Sequence, residues 1–308
     1  MGITTQIRTK SIKSPLNYIG GKYKLLEQIL PLFPKEINRF VDLFAGGCNV
    51  GINVNADEII FNDNLTYLIE LFQTFHSKEL EAVITHIENR ILEFDLSLTN
   101  EEGYKKIREF YNENKNPLDL FVLIAYSFNH QIRFNNSHKF NNPFGKNRSS
   151  FNKTMKLNLE RFIIQLKNKN IQFSNVSFEK YDYSFLSKND FVYCDPPYLI
   201  TTGSYNDGKR GFKGWSEKEE FDLLKILKQL NSKSVNFALS NVIEHKGKSN
   251  DILINWLNQN PSFNVNYLNK NYSNSNYQTK NRDKNGSVEV LITNYKTSIP
   301  IQTTLFNF

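Results

Sequence analysis

The chain has 308 residues, 39% of them hydrophobic and 14% aromatic, enough for one large domain or two of ordinary size. No run approaches the roughly 18 consecutive apolar residues of a membrane span, and Met1 to Lys13 lacks the apolar stretch of a secretory signal. The net charge of +7 permits a polyanionic partner, and two cysteines, Cys48 and Cys194, suit a reduced cytoplasmic protein better than a disulfide scaffold.

The basic residues are unevenly placed. Met1 through Leu26 contains no Asp or Glu but carries Arg8, Lys10, Lys13, Lys22 and Lys24, and Leu120 through Leu159 is again free of acid although the chain has 31 acidic residues. Such stretches fit a nucleic-acid surface. Along the chain, Pro15-Leu16-Asn17-Tyr18-Ile19-Gly20-Gly21-Lys22 reads as a loop that runs into a helix with Leu25, Leu26, Ile29 and Leu30 on its apolar side, ended by Pro31 and Pro34. Its Gly-Gly-Lys step lacks the spacing of a nucleoside-triphosphate loop. Arg39 to Phe44 reads as a buried strand, followed by Ala45-Gly46-Gly47-Cys48-Asn49-Val50-Gly51, where glycine lets backbone approach a ligand closely. The order Gly-Gly-x-x-x-Gly is not the dinucleotide fingerprint. Glu58 to Asp63 is a second strand, and Asp63 lies about 20 residues past the first, where doubly wound folds place a ribose-binding acid; a helix-capping role fits the same residue.

Leu65 to about Ile124 is expected to be helical, with a break at Pro117. Tyr126 to Ser150 reads as a loop or hairpin, and a helix restarts near Asn152. The α/β pattern then resumes with a strand near Ile171 to Phe178 and another through Phe191-Val192-Tyr193-Cys194. That strand stops at Asp195-Pro196-Pro197-Tyr198, because two prolines forbid a continued ladder or an immediate helix. In an open α/β sheet, ligands bind at such a carboxyl end. A carboxylate, an outward carbonyl and an aromatic face there suit a planar ring bearing an exocyclic amine. Thr201 to Gly214 reads as a glycine-rich basic loop, Ser216-Glu217-Lys218-Glu219 as a capping box opening a helix, and Val235 to Leu239 as a strand ending in Ser240-Asn241. A helix over Asp251 to Leu257, a polar Asn-rich stretch from Asn266 to Asn285 and a last strand over Ser287 to Tyr295 complete the pattern. Neither His-x-His, Cys-x-x-Cys nor Gly-x-Ser-x-Gly occurs, so no metal site or serine triad is expected.

Taken together, Pro15 to Leu26, Phe40 to Gly51, Asn62-Asp63, Asn129 to Gly145, Asp190 to Tyr198, Leu239 to Asn241 and Glu289 to Tyr295 resemble the Dam-type, alpha-class DNA adenine N6-methyltransferases. The resemblance implies a doubly wound, mostly parallel seven-stranded α/β sheet that binds S-adenosyl-L-methionine, formed by residues 1–65 and 152–308. Residues 66–151 are then an inserted target-recognition domain with a DNA-reading hairpin. By position, Tyr18, Lys22, Asp42, Phe44, Gly46, Gly47, Asp63, Tyr181 and Asp195 correspond to cofactor contacts, and Asp195, Pro196, Pro197 and Tyr198 to the catalytic motif that holds a flipped adenine. Asn17, Gln131, Arg133, Asn135, Asn141, Pro143 and Lys146 correspond to DNA contacts, with Arg133 set against a guanine. Asn17, Gln131 and Asn147 depart from the lysine, apolar residue and tyrosine of the GATC enzymes, which points away from GATC as the site. The partners implied are double-stranded DNA and a cognate restriction endonuclease acting without a stable complex, at the nucleoid in the cytoplasm, with neither membrane nor metal. Methylation of cytosine N4 or of RNA adenine, and a catalytically silent DNA-binding protein, stay open as alternatives.

Overall fold

The computed structural model describes residues 11–201, 215–268 and 286–297. Among these, eight strands form one sheet: β1 (Arg39–Asp42), β2 (Glu58–Asn62), β3 (Ile171–Ser174), β4 (Phe191–Cys194), β5 (Asn236–His245), the two-residue β6 (Lys248–Ser249), β7 (Asn264–Leu268) and β8 (Ser287–Thr293). Their order is β3-β2-β1-β4-β5-β8-β7, with β6 folded back on the end of β5. β1 to β5 run parallel, and β8 enters antiparallel between β5 and β7. The order reverses at β1 and β4, which are hydrogen-bonded neighbours. A doubly wound sheet opens a crevice for ligand at such a reversal.

Side-chain alternation builds two cores from the same strands. Phe40, Ile59, Phe61, Phe191 and Tyr193 face one layer, and Val41, Ile60, Val192, Phe237, Leu239 and Ile292 face the other. The first layer is continuous with the helices α2 (Thr66–Ser77), α3 (Leu80–Glu93), α4 (Glu101–Asn114), α5 (Pro117–Tyr126) and α6 (Lys153–Lys167). α5 is buried from Leu118 to Tyr126 and apolar there apart from Asp119, which pairs with Arg90 and His86, so it forms the axis of this bundle. The second layer is covered by α7 (Glu217–Ser232) and α8 (Asp251–Asn258). The capping box expected at Ser216 and Glu219 is formed.

Asparagine recurs at the helix starts. Asn100, Asn116, Asn152 and Asn250 each accept a backbone N–H in the first turn of α4, α5, α6 and α8. Each such cap stabilises its helix by about 1 kcal/mol.

Several boundaries differ from the sequence reading. The helix expected after Lys22 is only α1 (Leu26–Ile29) flanked by 3-10 turns, because Pro31 withholds an N–H within the second turn. β3 ends at Ser174, and Phe178 sits in a 3-10 turn. β5 continues past Leu239 to His245, since β8 pairs with it along that length. Asn264 to Leu268 is strand although it reads as polar, because an edge strand needs apolar residues on one face only. The glycine-rich loop after Thr201 and the Asn-rich stretch after Leu268 lie outside the described residues.

Candidate active site

The carboxyl ends of β1, β2 and β4 open into a cleft of about 1180 Å³. That exceeds the roughly 300–1,000 Å³ of a single small-ligand pocket, so it has room for two ligands side by side. Tyr18, Lys22, Asp42, Phe44, Gly46, Gly47, Asp63, Asp195, Pro196, Pro197 and Tyr198 all line it.

Lys22 Nζ lies 2.7 Å from Asp195 Oδ1, and the Tyr198 hydroxyl donates to the same oxygen at 2.9 Å. Both fixed donors sit on Oδ1, which leaves Oδ2 for a donor from outside. Burial pushes the Asp195 carboxyl up from its ordinary value, against the pull of the Lys22 ammonium. The ammonium also lies 5.0 Å from the centroid of the Tyr198 ring. One ring face is thereby covered by the cation. Lys22 further donates to the Gly20 carbonyl at 2.8 Å.

Asp63 organises the neighbouring glycine loop. Its Oδ2 accepts from Gly46 N at 2.9 Å and its Oδ1 from Leu65 N at 2.9 Å, so it holds both the loop and the start of α2. The bond to Leu65 is a turn ahead of α2, whose N-cap position is Leu65 and carries no side-chain cap, while Asp63 lines the cleft where a ribose-binding acid is expected. Gly46 has φ +47°, and a β-carbon there would come within 2.8 Å of the Tyr18 ring. Only glycine permits that backbone shape and that contact together. Asp42, 2% exposed, accepts from Gly51 N at 3.2 Å. Burial pushes its carboxyl up to about 8, outweighing the lowering by that hydrogen bond, so it holds its proton at neutral pH.

An aromatic wall closes the far side. Phe44 packs against Phe178 at 5.5 Å and against Trp215 edge-on at 5.7 Å. The Trp215 indole donates to Glu220 Oε2 at 2.7 Å, and Glu220 Oε1 also accepts from Asn241 and Asn250. Tyr181, the residue expected beside the cofactor, does not line the cleft; it is buried against Tyr183 and Phe185. Phe178 occupies the wall instead, because β3 ends four residues earlier than the strand pattern suggests.

The hairpin faces this cleft through one part only. It is held by two isolated bridges, Ser127 to Phe144 and Phe134 to Phe140, not by a ladder. Phe134 stacks on Tyr67 of α2 at 4.5 Å. Arg133 is exposed and lines the cleft mouth. Asn17 lines it too, and its side chain donates to the Asn129 carbonyl at 3.1 Å, tying the first loop to the hairpin. Gln131 and Asn141 are half-buried, while Pro143 and Lys146 are exposed; none of the four lines the cleft. Asn135 caps its own turn, accepting from Ser137 N and Lys139 N. Asn147 adopts φ +60°, a shape asparagine tolerates better than most residues. Among the described residues no group of three His, Cys, Asp or Glu side chains could hold a metal ion, and no helix is long and apolar enough to cross a membrane.

The family model for D12 class N6 adenine-specific DNA methyltransferases matches residues 18–295. The chain belongs to this family. It is 56% identical over 284 residues to the type II methyltransferase M.FokI of Planomicrobium okeanokoites, which covers 92% of this chain and 43% of that protein. It is 54% identical to modification methylase StsI of Streptococcus sanguinis, over 94% of this chain and 44% of that protein. It is 36% identical to modification methylase LlaI of Lactococcus lactis, over 92% and 44%. The chain thus spans less than half the length of these relatives. Its mostly parallel sheet fits the methyltransferase fold that the family implies. Sequence reasoning missed Phe178, Trp215 and Glu289. For Glu289 a signal existed: it is the one charge in the apolar run Val288 to Ile292.

Proposed function

We propose that this chain transfers a methyl group from S-adenosyl-L-methionine to N6 of an adenine flipped out of double-stranded DNA, as the modification half of a restriction–modification system. Its cognate endonuclease would act separately. The observation that carries this reading is the grip at the end of β4: Asp195 has one oxygen held by Lys22 and Tyr198 and the other left for an incoming amine. Adenine N6 lies inside the duplex, so the base must leave the stack to reach such a cleft. The Asp195 carboxylate and the Pro196 carbonyl then accept from the amine. That disfavours delocalisation of its lone pair into the ring and exposes the nitrogen as a nucleophile. Tyr198 offers its uncovered face to the base. These contacts act by positioning and electrostatics.

The residues around the glycine loop fit the cofactor. Gly46 lets the loop backbone lie directly against the Tyr18 ring at the cleft, Asp63 presents a carboxylate suited to ribose hydroxyls, and Phe44, Phe178 and Trp215 offer an apolar wall for a nucleobase. When bound, S-adenosylmethionine supplies an electrophilic methyl group. Residues 66–151 are assigned to target recognition, with Arg133 reading a guanine edge. Asn17 is already committed to Asn129, and with Gln131 and Asn147 it supports a site other than GATC.

Tritiated methyl incorporation into mixed-sequence DNA, followed by nucleoside mass spectrometry, tests the reading. The expected product is N6-methyladenine, reduced about 100-fold or more in Asp195→Ala while cofactor binding persists. Full activity in that variant, or N4-methylcytosine as product, would sink the assignment. Single-molecule sequencing of modified DNA tests the site, and methylation confined to GATC would refute that part.

A further inference from the structure

Lys22 and Tyr198 hold Asp195 from one side, and both also reach a second carboxylate. Lys22 Nζ lies 3.5 Å from Glu289 Oε1, and the Tyr198 hydroxyl lies 3.0 Å from the same atom. Glu289 sits on β8, two strands from the β4 end that carries Asp195, and is 2% exposed. Its strand neighbours Val290, Leu291 and Ile292 are buried apolar residues. A carboxylate there is costly to desolvate, and the sheet itself makes no demand for one.

We infer that Glu289 is a positioning residue for methyl transfer: from β8 it anchors the Lys22 ammonium and the Tyr198 hydroxyl, and through them fixes how Asp195 presents its carboxylate to the amine. This inference rests on the adenine N6 reading above. A lone Asp carboxylate rotates broadly about its terminal torsion. Two donors on Oδ1 restrict that rotation only if they are themselves held. The Lys22 ammonium donates to Gly20 O at 2.8 Å, lies 2.7 Å from Asp195 Oδ1, and has Glu289 Oε1 at 3.5 Å as a third, ionic partner. Without the third, the flexible lysine stem is free to swing toward the cleft. The single Tyr198 hydroxyl proton is shared between Asp195 Oδ1 and Glu289 Oε1, which keeps the ring between the two carboxylates. Displacing a reacting group by about 1 Å can cost about 100-fold in rate.

The test compares Glu289→Gln, which keeps an oxygen acceptor, with Glu289→Leu, which has none, in the full chain. Glu289→Leu is expected to lower kcat by about 10- to 100-fold, with the KM values for S-adenosylmethionine and DNA nearly unchanged. Glu289→Gln should restore most of kcat but move the acid limb of the pH–kcat profile to lower pH. Glu289 helps hold the Asp195 carboxyl up, and the other groups acting on it, Lys22 and Tyr198, stay in place. Asp42 and Tyr193, which also feel the Asp195 charge, are likewise untouched. Wild-type kcat in Glu289→Leu, a loss confined to KM, or a Gln variant as impaired as Leu with an unmoved acid limb would each overturn the inference. If Glu289→Leu shows no cooperative melt, Glu289→Gln decides: an acid limb moved to lower pH supports the anchor, and an unmoved limb refutes it. A wild-type protein that makes no N6-methyladenine overturns the functional reading and this inference with it. Wild-type activity matched by Glu289→Leu overturns the inference alone.

Discussion

At the carboxyl edge of the sheet the polar side chains are buried and hold one another; on the hairpin the charged side chains are exposed. Asp42, Asp63, Lys22 and Glu289 are each less than 9% exposed, and every one contacts another group in or beside the cleft. Arg133, Lys146 and Arg148 stand in solvent. The contrast matches two tasks. A reacting amine needs fixed dipoles whose orientation is settled beforehand. A DNA edge needs long donors that keep their charge until they meet it. Rigidity is supplied to the hairpin from behind, where Asn142 donates to the carbonyls of Phe128 and Gln131, and Lys115 lies 5.3 Å from the Tyr67 ring centroid and 5.0 Å from that of Tyr111.

The buried side should show its cost as pH dependence. Asp42 is pushed up to about 8, and Asp63 is raised as well, both mainly by burial. Below their ordinary values both chain states are protonated and the groups contribute no difference. As pH rises toward about 8, the unfolded chain ionises first and stability falls. For Asp42 the slope is about 1.4 kcal/mol per pH unit while only the unfolded state titrates. Urea unfolding at pH 5 and pH 8 should show this loss in the wild type and a smaller one in Asp42→Asn, whose amide oxygen still accepts from Gly51. An equal loss in both proteins would locate the dependence elsewhere.

Next in size is the glycine loop. Gly46→Ala forces a β-carbon into the Tyr18 ring at a positive φ, a strain of roughly 1–3 kcal/mol. Calorimetric titration with S-adenosylmethionine should show about tenfold weaker binding, since 1.4 kcal/mol corresponds to that factor. Unchanged affinity would mean that the loop relaxes freely and is no rigid cradle.

On the exposed side the effects are expected to be local. Arg133→Ala should cost roughly 1–3 kcal/mol in DNA binding and relax one position of the site. A uniform loss with site preference intact would make the hairpin a backbone clamp. Smallest is Lys153→Ala on α6, expected to weaken all sequences alike and to reduce the salt slope by about 1. Lys156 is the poorer candidate for a phosphate contact, because Glu88 already holds its ammonium at 2.7 Å.

What could be read from the sequence follows the same division. β1, β2, β4 and β8 announced themselves by apolar runs, and Asp195 by the prolines after it. Local chemistry also placed the capping box at Ser216. The meeting of Lys22 with Glu289 has no local signature: 267 residues separate them, and only the insertion of β8 beside β5 brings them together. The same holds for Asn17 and Asn129. Tyr181 was favoured by its position in the family resemblance, and nothing local marked Phe178; the chain leading to it is held by Asn62, whose side-chain amide donates to the Val176 carbonyl from the neighbouring strand.

The position of β8 also bears on how the protein comes into being on the ribosome. It is the last described strand in chain order, yet it lies inside the sheet, where it supplies the described pairing partner of β7. The glycine loop, Asp63 and Asp195 are all synthesised long before it. A nascent chain halted before Ser287 would carry Asp195 and Lys22 but lack Glu289, and β5 and β7 would have no strand to join them. On the proposed reading, the grip on Asp195 is complete only once β8 has joined the sheet.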